Sequence, residues 1–173
     1  MNTILAKYKF DYIWHFTDKS NLKSIQKYKG LLSLGELERR GIEIPVPGGN
    51  EWSHDADEKK GLHEYIHIAF IDDHPMLYRA KKEGRIKDPI WLKIDASIML
   101  KKGVRFCSDI SNKKGVEILN AKKAKVEIDF EVLFTHMDWH KHKIKQRRIA
   151  AVKSEILVPS IVPIDKILGK KNG

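Results

Sequence analysis

Six short runs of β-branched and aromatic residues are spread along the chain, with helical patterns between them. The runs cover residues 12–16, 65–71, 90–94, 104–107, 126–130 and 156–158. Each has the length and composition of a strand. Helices are predicted from about Ser20, as a cap, to Gly30, from His74 to Glu83, and from Lys143 to Val152. The chain is therefore predicted to be a mixed α/β fold, of α+β type.

The length and composition limit the class of protein. With 173 residues, a single domain over residues 1–173 is expected. Apolar residues make up 42% of the chain, which excludes disorder throughout. No apolar run approaches the roughly 18 residues of a membrane span, and two lysines interrupt the first nine residues, unlike a secretory signal. These features predict a cytoplasmic protein without a membrane partner. Cys107 is the only cysteine, so an internal disulfide is excluded.

Residues 35–61 break the pattern of strands and helices. The stretch 45–50 is rich in proline and glycine, which favour turns, and residues 51–60 are polar without a clean period. We predict a long loop. A loop of this length in a small domain is typically disordered or a functional lid. Trp52 favours the lid, because a tryptophan in a polar loop often packs against another part of the protein or a ligand.

Two segments far apart in sequence carry the candidate chemistry. Glu155 begins an aliphatic, strand-like run, where a carboxylate is either a structural strand end or a group that stabilises the cation formed when the glycosidic bond of NAD breaks. His15 and Thr17 alternate along another strand and therefore share a face, where an imidazole and a hydroxyl can bind a ribose or an amide. Together they indicate an enzyme that consumes NAD.

The charge balance indicates a polyanionic partner. The formal net charge is +10 and the isoelectric point is about 9.6. Polyanions bind such surfaces through counterion release, although many soluble domains are basic without binding nucleic acid. Within the dense basic run 140–148, Lys143, Arg147 and Arg148 are the predicted nucleic-acid-binding residues.

Histidines in and near this basic run offer a second interpretation, a metal site. His136, Asp138, His140 and His142 have spacings that could place several ligands near one ion. The neighbouring lysines would repel a cation, so the cluster is interpreted as a solvated basic face. No metal is predicted.

Four segments, taken in order, resemble the DarT-type DNA ADP-ribosyltransferase toxins. Residues 15–22 are similar to the His-x-Thr…Asn-Leu opening of that family. Residues 65–78 resemble its strand followed by Pro-Met-Leu-Tyr, and residues 106–112 its short strand and Asp…Asn turn. Residues 147–158 resemble its Arg-Arg…Glu-x-Leu-Val ending. The likeness covers most of residues 12–165.

This resemblance implies an ADP-ribosyltransferase fold, in which two small β-sheets with flanking helices form a cleft for NAD, the co-substrate, without a metal. It implies that Glu155 is the catalytic carboxylate, that His15, Thr17 and Asn21 contact NAD, and that Met76 lines the nicotinamide pocket. The implied reaction is transfer of ADP-ribose to a base of single-stranded DNA, usually thymidine. The implied partners are single-stranded DNA and a macrodomain antitoxin, and a monomer is expected.

The chain departs from this family at one position. Family members carry an arginine in the loop before the second conserved strand, where residues 52–57 contain none. We expect His54 to take over part of its catalytic role, because an imidazole titrates near neutral pH. Arg39 or Arg40 is the alternative. An imidazole cannot reproduce the bidentate phosphate grip of a guanidinium, so guanosine stays open as the target.

Other functions remain open at this point. The same fold supports an RNA- or protein-directed ADP-ribosyltransferase or a plain NAD glycohydrolase. A basic nucleic-acid-binding module that has lost catalysis is the alternative from another class.

Overall fold

The computed structural model describes residues 1–47, 58 and 60–173. The described α-helices are α1 (Asn2–Tyr8), α2 (Leu22–Lys27), α3 (Leu34–Arg39), α4 (Pro75–Lys82), α5 (Ala121–Glu127), α6 (Phe130–Phe134) and α7 (His142–Ala151). The described strands are β1 (Tyr12–Asp18), β2 (Gly30–Leu32), β3 (Tyr65–Ala69), β4 (Pro89–Asp95), β5 (Arg105–Cys107), β6 (Glu155–Pro159), β7 (Ile161–Pro163) and β8 (Ile167–Asn172). The predicted mixed α/β class is confirmed.

Six strands form one antiparallel sheet in the order β5-β6-β3-β1-β4-β8. Strand β1 pairs with β4 over its whole length, from Tyr12 opposite Asp95 to Asp18 opposite Pro89. By contrast, β1 and β3 are in register at one position, Trp14 opposite Ala69. The two central strands therefore diverge beyond this point, and the sheet opens between them.

The smaller sheet is the antiparallel pair β2 and β7. Gly30 lies opposite Pro163 in this pair, and a Cβ at position 30 would lie 2.3 Å from the carbonyl oxygen of Val162. Only glycine allows the two backbones to approach this closely. The sequence thus permits a second, short sheet beside the large one.

The main core covers one face of the large sheet. Ile13, Ile68, Ile94, Phe106 and Ile156 are at most 1% exposed and belong to this core. On the other face, Leu77 and Ala80 of α4 join a second cluster with residues of β1, β3 and β4. Both faces are therefore covered near the point where β1 and β3 diverge.

Three predictions of local structure were wrong in part. Residues 126–130 were expected to form a strand, but they span the end of α5 and the start of α6. Asn120 and Asp129 cap these helices with their side chains, and Val126 is 83% exposed, so the β-branched residue does not mark a buried strand.

Within the predicted loop 35–61, residues up to Arg39 belong to α3, because the Ser33 hydroxyl accepts a hydrogen bond from Glu36 N–H. The cap before α2 is Asp18, which accepts from Ser20 N–H, and Ser20 itself lies in a 3-10 turn. The lid prediction and Trp52 lie outside the described residues. In the described chain no helix has the length and apolar character needed to cross a bilayer.

Candidate active site

A cleft of about 500 Å³ opens where β1 and β3 diverge. Its walls come from the large sheet, from α2, β2 and α3, and from the turn that follows β5. Ligand-binding clefts in proteins typically enclose about 300–1,000 Å³. The predicted site residues His15, Thr17, Asn21, Met76 and Glu155 all line this cleft, although they come from three separate parts of the chain.

Glu155 is the first residue of β6 and lies opposite Ala69 and Cys107. The side chain of Ala69 is small, so it leaves room beside the carboxylate. Glu155 Oε2 accepts a hydrogen bond from the backbone N–H of Ser111 at 3.0 Å and lies 3.4 Å from Nδ1 of His67. Glu155 Oε1 lies 3.7 Å from Nε2 of His74.

The carboxylate of Glu155 is ionised although it is only 5% exposed. Burial by itself raises its pKa, but the hydrogen bond and charge of His67, the charge of His74 and a hydrogen bond from the Ser111 side chain outweigh burial and lower the pKa to about 2. Burial and this negative charge raise the pKa of the Cys107 thiol to about 12. Among the described residues no lysine or arginine forms an ion pair with Glu155. Its charge is therefore available to a ligand.

His15 fills the gap between the diverging strands. Its Nδ1–H donates to the carbonyl oxygen of His67 at 2.9 Å, in place of a bond between the two backbones. Burial lowers the pKa of His15 to about 4, against the raising effect of that hydrogen bond. The imidazole is neutral at pH 7, so its Nε2 can accept a hydrogen bond.

Thr17 and Asn21 form a hydrogen-bonded pair that holds Val46 at the wall of the cleft. The side-chain amide of Asn21 donates to Thr17 Oγ1 at 2.9 Å and to the carbonyl oxygen of Val46 at 2.7 Å, and it accepts from Val46 N–H at 3.0 Å. All three polar positions of this amide are therefore bonded within the protein. Asn21 shapes the wall of the cleft through residues 42–47, and its predicted direct contact with NAD stays a prediction.

His67 and His74 were missed as site residues by the sequence reasoning. His74 Nδ1 accepts from Met76 N–H at 3.4 Å and so caps α4, which places Met76 at the cleft wall. Its Nε2 faces the Lys153 carbonyl oxygen at 3.4 Å as well as Glu155. Burial lowers the pKa of His74 although Glu155 raises it. An alternating pattern that puts Tyr65, His67 and Ala69 on one face was a usable signal for His67.

Of the three residues considered as replacements for the family arginine, the structure describes Arg39 and Arg40. His54 lies outside the described residues. Arg39 forms a bidentate ion pair with Glu64, at 2.6 and 2.8 Å, and also contacts Glu36. Arg40 contacts Glu36 at 2.6 Å. Both guanidinium groups are therefore engaged by carboxylates on the outer side of α3, and neither residue lines the described cleft.

The predicted nucleic-acid-binding residues lie in α7, which packs against α6. Arg147 makes a bidentate ion pair with Asp129, at 2.6 and 2.8 Å. Arg148 donates to the carbonyl oxygens of Val132 and Leu133. Lys143 is exposed. The arginines thus have structural partners, and the role of these three residues in binding nucleic acid stays a prediction.

The possible metal ligands around residues 136–142 do not converge. Among the described residues no three histidine, cysteine, aspartate or glutamate side chains are grouped closely enough to hold a metal ion. The chemistry available in the cleft is that of one carboxylate, several imidazoles and backbone amides.

A buried carboxylate in the cleft of a split antiparallel sheet, with no lysine or arginine partner among the described residues, can stabilise positive charge at a sugar carbon and suits an enzyme that acts on a glycosidic bond. The family described as DarT, ssDNA thymidine ADP-ribosyltransferase, matches residues 14–169. The chain therefore belongs to the DarT family, and the predicted fold and the NAD-dependent activity on single-stranded DNA are confirmed at the level of this family. None of the curated proteins matches the sequence.

Solved structures with the same fold include two DarT proteins. Thermus sp. 2.9 DarT in complex with ADP-ribosylated ssDNA is 17% identical, with a TM-score of 0.67 over 91% of this chain and 78% of that chain. The same protein in complex with NAD+ is 19% identical, with a TM-score of 0.60 over 91% and 79%. Thermosipho africanus DarTG in complex with ADP-ribose is 21% identical, with a TM-score of 0.69 over 93% of this chain and 43% of that chain.

Proposed function

We propose that this chain transfers ADP-ribose from NAD to thymidine in single-stranded DNA, with Glu155 as the catalytic carboxylate. The observation that carries the proposal is the buried, ionised Glu155, which faces the cleft without a lysine or arginine partner among the described residues. A buried charge is costly unless opposite charge or hydrogen bonds compensate it. The nicotinamide ring of NAD carries a positive charge before the bond breaks, and the ribose carries it afterwards, so the substrate adds positive charge beside Glu155.

Glu155 stabilises the positive charge that develops at the ribose carbon as the bond to nicotinamide breaks. Two unit charges about 4 Å apart attract each other by about 4 kcal/mol at an effective dielectric constant of about 20. The Ser111 N–H fixes the carboxylate, so this field is in place before the reaction begins.

The remaining cleft residues position NAD. Neutral His15 offers Nε2 as an acceptor for a hydroxyl or amide hydrogen, and Met76 provides an apolar wall beside Glu155. Thr17 lies on the same strand as His15 and keeps its oxygen bonded to Asn21. His54 remains the proposed substitute for the family arginine, since Arg39 and Arg40 are engaged elsewhere.

We further propose that the chain acts as a monomeric toxin in the cytoplasm and that a macrodomain antitoxin removes the modification. The family resemblance supports this partner. The net charge of +10 supports binding of single-stranded DNA, with Lys143 as the exposed contact on α7 and Arg147 and Arg148 beside it.

The test is incubation of the purified chain with radiolabelled NAD and single-stranded oligonucleotides that each lack one base, with duplex DNA, RNA and protein as further acceptors. We expect label on thymidine-containing single strands only. Glu155→Gln should lower the rate about 10²–10³-fold, as loss of one oriented electrostatic contact does, whereas Glu127→Gln on exposed α5 should not.

Each alternative predicts a different result. Label that follows guanosine would change the target base, and nicotinamide release without label on any acceptor would indicate an NAD glycohydrolase. Neither release nor label, with DNA binding intact in Glu155→Gln, would leave a non-catalytic binding module.

A further inference from the structure

The backbone hydrogen bond to Glu155 comes from an irregular part of the chain. Ser111 N–H donates to Glu155 Oε2 at 3.0 Å. Ser111 lies in the turn of residues 110–113, which Lys113 N–H closes by donating to the Ile110 carbonyl oxygen at 3.1 Å. The described backbone between β5 and α5 forms neither a helix nor a strand. Contacts from other parts of the chain must therefore hold this turn, which we call the Ser111 turn.

Lys60 supplies such a contact. Its Nζ donates to the carbonyl oxygen of Ser111 at 2.9 Å and to that of Lys113 at 2.7 Å. Both hydrogen bonds are charge-assisted, because the donor is an ammonium group. The side chain of Lys60 therefore joins two carbonyl groups of the Ser111 turn to a segment 51 residues earlier in the sequence.

The backbone next to Lys60 is itself fixed. Gly61 has a φ of +67°, in the left-handed region that favours glycine, and leads the chain into the 3-10 turn that begins at Leu62. Leu62 is buried and clusters with Cys107 of β5 and Leu157 of β6. The side chain of Lys60 thus starts close to a point that is packed against both the strand before the Ser111 turn and the strand of Glu155.

Two other contacts hold the same region. Ser154 Oγ–H donates to the Ser108 carbonyl oxygen at 3.4 Å, and Ser111 Oγ lies 3.1 Å from Nδ1 of His67. These contacts keep the region near the sheet when Lys60 is replaced. Loss of the lysine should therefore loosen the Ser111 turn without releasing it.

Lys60 acts on the cleft indirectly. Ser111 and Glu155 line the described cleft, and Lys60 does not. The carbonyl and the N–H of Ser111 are joined through one Cα, with only two soft backbone torsions between them. A bond that fixes the carbonyl of Ser111 therefore also restricts the direction of its N–H.

We infer, on the basis of the proposed function, that Lys60 is a positioning residue for Glu155. Its ammonium group holds the Ser111 turn so that Ser111 N–H keeps Glu155 Oε2 in place. The carboxylate is then oriented before NAD binds, which is the condition for strong electrostatic stabilisation of the cation at the ribose carbon. Without Lys60 the charge remains, but it is correctly oriented for a smaller fraction of the time.

The test compares four full-length chains: the wild type, Lys60→Met, Lys60→Arg and the control Lys114→Met. Methionine nearly matches the length of the lysine side chain and has no N–H donor, whereas arginine restores donors with a similar reach. Lys114 is exposed directly after the Ser111 turn. Each chain is measured by hydrogen exchange of the Ser111 amide, by steady-state transfer of label from NAD to a thymidine-containing single strand, and by thermal unfolding.

We expect Lys60→Met to exchange the Ser111 amide hydrogen about tenfold faster and to lower kcat about tenfold, equivalent to about 1.4 kcal/mol. KM for NAD should change by less than about twofold, because the interaction acts on the transition state and not on binding. Lys60→Arg should recover most of both losses, and Lys114→Met should match the wild type. Each chain should remain folded at the assay temperature, which separates a loss of kcat from unfolding.

An unchanged Ser111 amide in Lys60→Met would overturn the inference, because the turn would then be held without the lysine. An unchanged kcat beside a faster-exchanging amide would also overturn it, as would an equal loss of kcat in Lys114→Met. A wild-type chain that neither releases nicotinamide nor labels DNA would refute the proposed function, and the catalytic role of Lys60 with it. The two failures are distinguishable because amide exchange is measured without any activity.

Discussion

The carboxylate of Asp18 holds together the end of β1 and the turn before β4. Its Oδ1 accepts from Ser20 N–H at 3.0 Å and from Ser20 Oγ–H at 2.7 Å. Its Oδ2 accepts from Lys87 N–H at 2.9 Å and from Asp88 N–H at 3.0 Å. Asp18 is 5% exposed. The bonds from Asp88 and Ser20 hold the pKa of its carboxyl well below the usual range.

Asp18→Asn keeps the size of the side chain and removes half of its acceptors. If the amide oxygen faces Lys87 and Asp88, the amide nitrogen faces Ser20, whose hydroxyl can turn and accept while its N–H loses its partner. Ser20 is exposed, so water can reach its N–H, and loss of that bond costs about 1 kcal/mol, while two charge-assisted bonds become neutral at about 1 kcal/mol each. The sum is about 3 kcal/mol.

Thermal unfolding of the purified variants measures this loss. For a chain of this size, 1 kcal/mol corresponds to about 2–4 °C, so Tm should fall by about 10 °C at pH 7. Because the pKa is lower in the folded state, the stabilisation is complete above about pH 4 and is lost as the pH falls below that value. The difference in Tm between the wild type and Asp18→Asn should therefore become smaller at acid pH. A fall in Tm no larger than that of the exposed control Asp165→Asn would refute this reasoning.

Three further outcomes are expected. Asn21→Ala releases the backbone of Val46 from the cleft wall. Steady-state kinetics should then show KM for NAD rising about tenfold, equivalent to about 1.4 kcal/mol, with a smaller change in kcat. An unchanged KM would contradict this role of Asn21. Gly30→Ala places a Cβ against the carbonyl oxygen of Val162, so circular dichroism should show a lower Tm; an unaltered melting curve would mean that β2 and β7 adjust freely. Lys143→Ala should weaken binding to single-stranded DNA and reduce the slope of log K against log salt by about 0.7, the contribution of one phosphate contact; an unchanged slope would place the DNA elsewhere.

Much of the site could be predicted because its residues lie at the ends of strongly patterned segments. The aliphatic run after Glu155 and the alternation around His15 identify strands by composition alone. The alternation in β3 places His67 on one face with Tyr65 and Ala69, but it does not show that His67 lies next to Glu155. Its position next to Glu155 depends on the register of β3 and β6, in which Ala69, not His67, lies opposite Glu155. Register is a property of the assembled sheet and is not visible in either strand.

The errors in the fold have a similar physical origin. Residues 126–130 alternate apolar and polar side chains as a strand does, but they connect two short helices whose capping side chains outweigh that pattern. The role of Asn21 was obscured because one of its partners, Val46, reaches it only once the chain folds back across 25 residues. Side chains that bond to distant backbone leave no periodic signal.

The position of Glu155 at the start of β6 places the proposed catalytic carboxylate next to a fully buried strand. Ile156, Leu157 and Val158 directly after it are each 0% exposed, and β6 is paired on both sides. Amide hydrogens in such a strand exchange with solvent through opening of the whole cooperative unit. The carboxylate of Glu155 should therefore keep its orientation until the chain unfolds globally, so heat inactivation of the proposed activity and hydrogen exchange of β6 should show the same transition. Variation in substrate preference is then free to arise in the less protected cleft wall around residues 42–47.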